Sequence, residues 1–371
     1  MTTDSKYLDT LQIGRALAAA SVVLLHSIHE ADRYYPRYVG ENSVFTSNLD
    51  GRFSLLGAGV DIFFVISGVV MVLSSQRSKG STGTFLYRRA ARIFPLWWIL
   101  TLIYIALLIV APSLFKISYF DPVYSICSML LIPCIGPDEK AIPLIYAGWT
   151  LTYELVFYGL FALSLLVAGR IKKIMACILL VLLWHSLHYT SLATIPAIFY
   201  STDNIVLEFI FGLLLAHYWL TFGLAKKAGF PLIAIGIALL LASKSTLMID
   251  LPRFIQWGVP ALSIVAGLMS LNQRRADQHP TFKFLVYLGA TSYSLYLFHF
   301  FSLKLYYVVL GKTGLLVMIP TEIVVVGGLL TSIIASVVVY RVCEQPLQSL
   351  SKLLLLRWQN RKITLEQIRI S

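Results

Sequence analysis

Charge is scarce in this chain of 371 residues. Asp, Glu, Lys and Arg make up only 13% of it, whereas 58% is hydrophobic. A soluble domain carries about 25% charged residues, so the composition excludes an ordinary soluble enzyme and points to a polytopic membrane protein. Cysteine is scarce too. The four residues Cys127, Cys134, Cys177 and Cys343 show no metal-ligand spacing, so no metal site is expected. Cys127 and Cys134 are seven apart on what reads as one helix face, which argues for packing rather than a disulfide. Also missing are a soluble domain, a repeat of fixed period, a low-complexity tract and a cleavable signal pattern. The first apolar segment is therefore expected to be retained.

What the chain has is apolar length. Runs long enough to span a membrane lie near 10–30, 54–75, 94–115, 148–168, 174–190, 204–220, 230–246, 257–272, 284–309 and 317–342. Ten spans put both termini on one side. With both termini in the cytoplasm, 21 of the 30 lysines and arginines fall inside and 9 outside, the positive-inside asymmetry. The net charge of +12 is then a topology signal and needs no nucleic-acid partner.

The expected architecture is all-α, with about ten transmembrane helices and cytoplasmic termini, in the inner membrane. Residues 1–346 form the transmembrane domain. Residues 347–371 form a basic cytoplasmic tail, either resting on the inner leaflet or solvated. Residues 31–53 hold Tyr34, Tyr35, Tyr38 and Phe45, which suit stacking on sugar rings or a place at the membrane interface. Asp121 to Pro133 reads as a short apolar helix at the outer boundary, ended by Pro133 and Pro137.

Ionisable groups are costly in lipid, so those inside spans mark a protein interior or a wet cavity. Arg15 and His26 are eleven residues apart, which puts them within 20° on one helix face and roughly 16 Å apart along the axis. Counting depth along the ten spans brings His26, Asp61, Glu154, Glu208, His299 and Glu322 near one outer level. Enzymes and proton-coupled transporters both build such layers. At the cytoplasmic edge Arg88 and Arg92 are i,i+4 neighbours with Arg89 beside them, near Pro95 at the expected start of the third span. Their forked donors suit phosphate groups, or lipid headgroups in a positive-inside anchor.

These residues resemble the acyltransferase-3 membrane acyltransferases, especially the branch that acetylates bacterial exopolysaccharides. The resemblance covers about residues 7 to 346. It rests on Leu11 to Ala19 running on to His26, on Gly59-Val60-Asp61-Ile62-Phe63-Phe64-Val65-Ile66-Ser67-Gly68, and on Tyr87 to Trp98 with its arginines. Leu131-Ile132-Pro133, Gly148 to Glu154, Glu208 to Gly212, Ser292 to His299 and Glu344-Gln345-Pro346 complete the series in order. One departure is Gln12-Ile13-Gly14-Arg15, where the family more usually has Leu-Arg near the centre. No hydrolase-like domain follows the tenth span, so the chain is expected to act through its membrane domain alone.

The resemblance implies acyl transfer, most often of acetyl from acetyl-CoA, to a carbohydrate hydroxyl across the membrane. Arg15, Arg88, Arg89 and Arg92 would hold the phosphates of CoA, and its pantetheine arm would follow the Arg15–His26 face. His26 would act as general base or carry the acyl group transiently. Glu154 or Asp61 would orient the imidazole. The expected partners are acyl-CoA, a carbohydrate acceptor and membrane lipid, with monomer and homodimer both open. The competing readings are a transporter of a small anion or sugar, against which no paired half-chains or matching broken helices are found, and an envelope-assembly scaffold. The identity of the acceptor, and acetyl against succinyl, stay open.

Overall fold

The protein was analysed as a computed structural model that describes residues 7–39, 53–77, 81–111, 120–136, 139–245, 248, 250–271 and 279–370. It is an all-α polytopic membrane protein. Among the described residues there is no strand, and seven segments are helical, long and apolar enough to cross a membrane. The helices that position the site are α1 (Tyr7–Tyr38), α2 (Gly59–Arg77), α3 (Thr82–Val110), α4 (Pro122–Leu130), α5 (Gly148–Ser164), α6 (Arg170–Ser186) and α7 (Glu208–Phe222). They continue as α8 (Gly229–Ala242), α9 (Val259–Ser270), α10 (Pro280–Ala290), α11 (Ser292–Lys312), α12 (Thr321–Val339) and α13 (Gln345–Ile370). A helix coincides with each of the ten apolar runs. Those of α5, α8 and α9 lie outside the seven segments long enough to cross.

Helix ends differ from the hydropathy reading where caps, not lipid, decide them. Helix α3 starts at Thr82, where the Ser81 hydroxyl accepts from the Thr84 amide at 3.3 Å. Arg88, Arg89 and Arg92 therefore belong to the spanning helix itself, and Pro95 lies in its interior rather than at its start. Helix α1 continues to Tyr38. This carries Tyr34 and Tyr35 into the core, where Tyr34 stacks on Tyr307 with centroids 5.7 Å apart and the Tyr35 hydroxyl donates to the Ile319 carbonyl. These two tyrosines are packing groups, not a sugar platform. The Tyr38 side chain and Phe45 lie outside the described residues.

The expectation for Cys127 and Cys134 is corrected: they form a disulfide. On a continuous helix their Cα atoms would be roughly 10 Å apart along the axis. Instead α4, capped at its start by Asp121, ends when Leu131 takes a left-handed conformation (φ 57°) and turns the chain back. The two Cα atoms thus come within 6.1 Å, inside disulfide range. Trp97 and Trp98 of α3 donate their indole N–H groups to the carbonyls of Ser128 and Met129, both at 3.0 Å. These bonds satisfy acceptors at the helix end. A disulfide belongs in an oxidising compartment, which agrees with assigning this loop to the outer side.

Two motif glycines set a close helix crossing. A Cβ on Gly68 of α2 would lie 2.4 Å from the Phe209 carbonyl oxygen, and one on Gly212 of α7 would lie 2.1 Å from that of Val65. With little to gain from apolar burial in lipid, such backbone contact is how membrane helices associate. Around it Phe64, Phe157 and Phe209 stack, the last two with centroids 4.1 Å apart.

A candidate active site

The Arg15–His26 stripe of α1 packs on a matching stripe of α11. Ser292, Tyr296 and His299 stand at i, i+4 and i+7, so they share one face of that helix. Arg15 Nε donates to Ser292 Oγ at 3.2 Å, and the His26 ring lies 5.1 Å from the ring of His299. Seven residues on α11 span roughly 10 Å against roughly 16 Å for eleven on α1, and the long arginine side chain makes up the difference.

At one end of this seam is a cleft of about 580 Å³ between α1, α3, α10 and α13. Arg15, Arg88, Arg89 and Arg92 all line it. Arg15, Arg89 and Arg92 also line a smaller inner cavity of about 60 Å³, together with Ser67, Glu154, Tyr158 and Tyr296. Arg89 Nη2 donates to Ser74 Oγ at 3.0 Å, and its guanidinium lies 5.5 and 5.6 Å from the ring centroids of Phe85 and Tyr158. Cleft and cavity therefore share a wall of three arginines. The four residues expected to meet phosphates converge on one place.

Further along the seam, Arg15 lies 6.0 Å from the Phe63 centroid, Phe63 lies 5.8 Å from Tyr296, and Tyr296 lies 6.2 Å from His299. His26 ends this column among His29, Tyr146, His299 and Phe300, with ring centroids at 6.0, 6.0, 5.1 and 4.9 Å. His29 and Tyr146 are exposed, so the far flank of His26 opens away from the arginine cleft. His299 Nδ1 lies 3.2 Å from the Leu295 carbonyl. A carbonyl only accepts, so Nδ1 carries the hydrogen. Nε2 is then left as a buried acceptor without a hydrogen-bond partner among the described residues.

The two carboxylates expected beside His26 are bound elsewhere. Glu154 accepts from Ser67 Oγ at 2.8 Å and from the Tyr158 hydroxyl at 2.9 Å, facing the arginines. Asp61 is wholly buried and takes a bidentate pair of bonds from Arg253, at 3.1 and 2.9 Å. The Arg253 guanidinium lies 4.6 Å from the Trp257 centroid, and buried Glu208 adjoins the same pair. The expected single layer thus divides into a His26–His299 pair, a Glu154–arginine group and an Asp61–Arg253–Glu208 cluster. Glu322 belongs to none of these, being exposed in the first turn of α12.

Sequence reasoning assigned no role to His299, although depth counting had already set it level with His26. It also left Arg253 among the outer loops. A carboxylate buried in a span needs a cation, and Arg253 beside Pro252 was one of few outer candidates.

The sequence profile of the acyltransferase-3 family, described as an acyltransferase domain, matches residues 8–341. The chain belongs to this family. Over 302 residues it is 28% identical to the exopolysaccharide production protein ExoZ of Rhizobium meliloti (strain 1021), covering 80% of this chain and 90% of that protein. No solved structure matches the chain significantly. The protein is thus a multi-pass membrane acyltransferase of the acyltransferase-3 family. The arginine cleft and the histidine pair are the two ends of its candidate active site.

Proposed function

We propose that this acyltransferase moves an acetyl group from cytoplasmic acetyl-CoA to a hydroxyl of an extracytoplasmic or lipid-linked exopolysaccharide sugar at the inner membrane. One observation carries the reading: Arg15, Arg88, Arg89 and Arg92 converge on one cleft, and a continuous column of polar and aromatic side chains runs from it to His26. The exopolysaccharide acceptor is inferred from the similarity to the exopolysaccharide production protein ExoZ of Rhizobium meliloti.

The arginines hold the phosphates through charge-assisted hydrogen bonds, and the pantetheine arm follows the seam between α1 and α11. At about 60 Å³ the inner cavity accommodates water and not the arm, so passage requires Phe63 and Tyr296 to swing aside. At the outer end the His26 imidazole takes the proton of the sugar hydroxyl. The sugar oxygen attacks the thioester carbonyl, the C–S bond breaks, and the imidazolium returns its proton to the CoA sulfur. His299, with a free Nε2 lone pair beside the ring, is the group that positions His26 and supports its charged form. Asp61 holds Arg253 instead, and Glu154 is held by Ser67 and Tyr158.

Proton NMR of surface polysaccharide tests the proposal. Cells with the gene should show O-acetyl signals that vanish both on deletion and with His26→Ala at equal protein level. O-acetylation that survives deletion unchanged would sink it.

A further inference from the structure

Helix α13 is not a separate tail. Its residues Gln348, Ser351, Lys352, Leu355 and Gln359 stand at i, i+3, i+4, i+7 and i+11, so they share one face, and that face lines the arginine cleft. The Tyr87 hydroxyl of α3 donates to the Ser351 carbonyl at 3.1 Å and ties the two walls together. Glu344 at the start of this wall is buried, its carboxylate held by the Ser294 hydroxyl and by Gln348 Nε2. The opposite face, with Leu350, Leu353, Leu354 and Trp358, is exposed and suited to lipid.

The cations of the cleft fall into two sets. Arg15, Arg89 and Arg92 line both the cleft and the inner cavity, whereas Arg88 and Lys352 line the cleft alone. CoA has a matching order. Its thioester arm leads inward, the pyrophosphate follows, and the 3′-phosphate on the ribose comes last. A donor threaded toward His26 leaves its pyrophosphate at the three shared arginines and its 3′-phosphate at the cleft-only pair.

We propose that Lys352 of α13, together with Arg88, binds the 3′-phosphate of CoA, so that the C-terminal helix completes the donor site and selects CoA over its 3′-dephospho form. The proposal rests on the donor reading above. Lysine meets a phosphate as a compact point charge, and its exposed position on the cleft wall leaves the ammonium free to reach one.

Isothermal titration of the full-length protein in detergent, with CoA and with 3′-dephospho-CoA, tests it. Wild type should bind CoA about tenfold more tightly than the dephospho form, as one or two charge-assisted bonds require. Lys352→Ala should weaken CoA several-fold and narrow the preference, adding Arg88→Ala should bring the two ligands level, and Lys352→Arg should restore the preference. Arg92→Ala should weaken both ligands alike. Equal affinities in wild type, or equal weakening of both ligands by Lys352→Ala, would overturn the proposal while leaving the donor reading intact. So would loss of binding to phosphatidylglycerol vesicles in Lys352→Ala with the CoA preference unchanged, which would make the lysine a headgroup anchor. If wild type binds neither nucleotide, the donor reading itself fails.

Discussion

Asp61 and His26 are both ionisable groups inside spans, yet their surroundings assign them different work. Asp61 is buried with both oxygens on Arg253, and Arg253 is one-third exposed. Removing one partner of such a pair leaves an uncompensated charge and costs about 3 kcal/mol, at the low end because of that exposure. Asp61→Asn should therefore lower the thermal unfolding temperature in detergent, and adding Arg253→Gln should recover part of the loss. His26→Ala should leave that temperature within a degree or two and abolish turnover. If Asp61→Asn kept its unfolding temperature but lost turnover, Asp61 would be acting on the imidazole after all. The alignment of Arg15 with His26 was legible because helical period alone sets it. The partner of Asp61 was not, because it comes from a helical turn 192 residues away.

At the level of elements, hydropathy finds the apolar runs but not where the chain turns. Helices α1 and α3 extend well beyond the apolar residues because capping and backbone hydrogen bonds, not lipid, stop them. The turn at Leu131 is the sharpest case. A seven-residue spacing suggested one helix face, and a single left-handed residue converted it into a disulfide loop. Thiol labelling checks this element directly. Denatured but unreduced protein should take up a maleimide at Cys177 and Cys343 only, and reduced protein at all four positions. Four labels without reduction would show that the loop closes without the bond.

At the scale of the whole molecule, composition and charge asymmetry were enough to read an all-α membrane protein, because a bilayer demands long apolar helices whatever their function. The four arginines of the cleft were legible as a set, but the walls that α10 and α13 add were not, since those helices lie far from α1 and α3 in sequence. The cleft's position opposite the exposed flank of His26 gives the molecule an arginine end and a histidine end, and the proposed function assigns one substrate to each. Labelled acetyl-CoA supplied to the cytoplasmic face of inverted membrane vesicles tests that arrangement most directly. Wild-type vesicles should move label into carbohydrate. His26→Ala vesicles should bind CoA as tightly as wild type and transfer none, and transfer at the wild-type rate by His26→Ala would contradict the account.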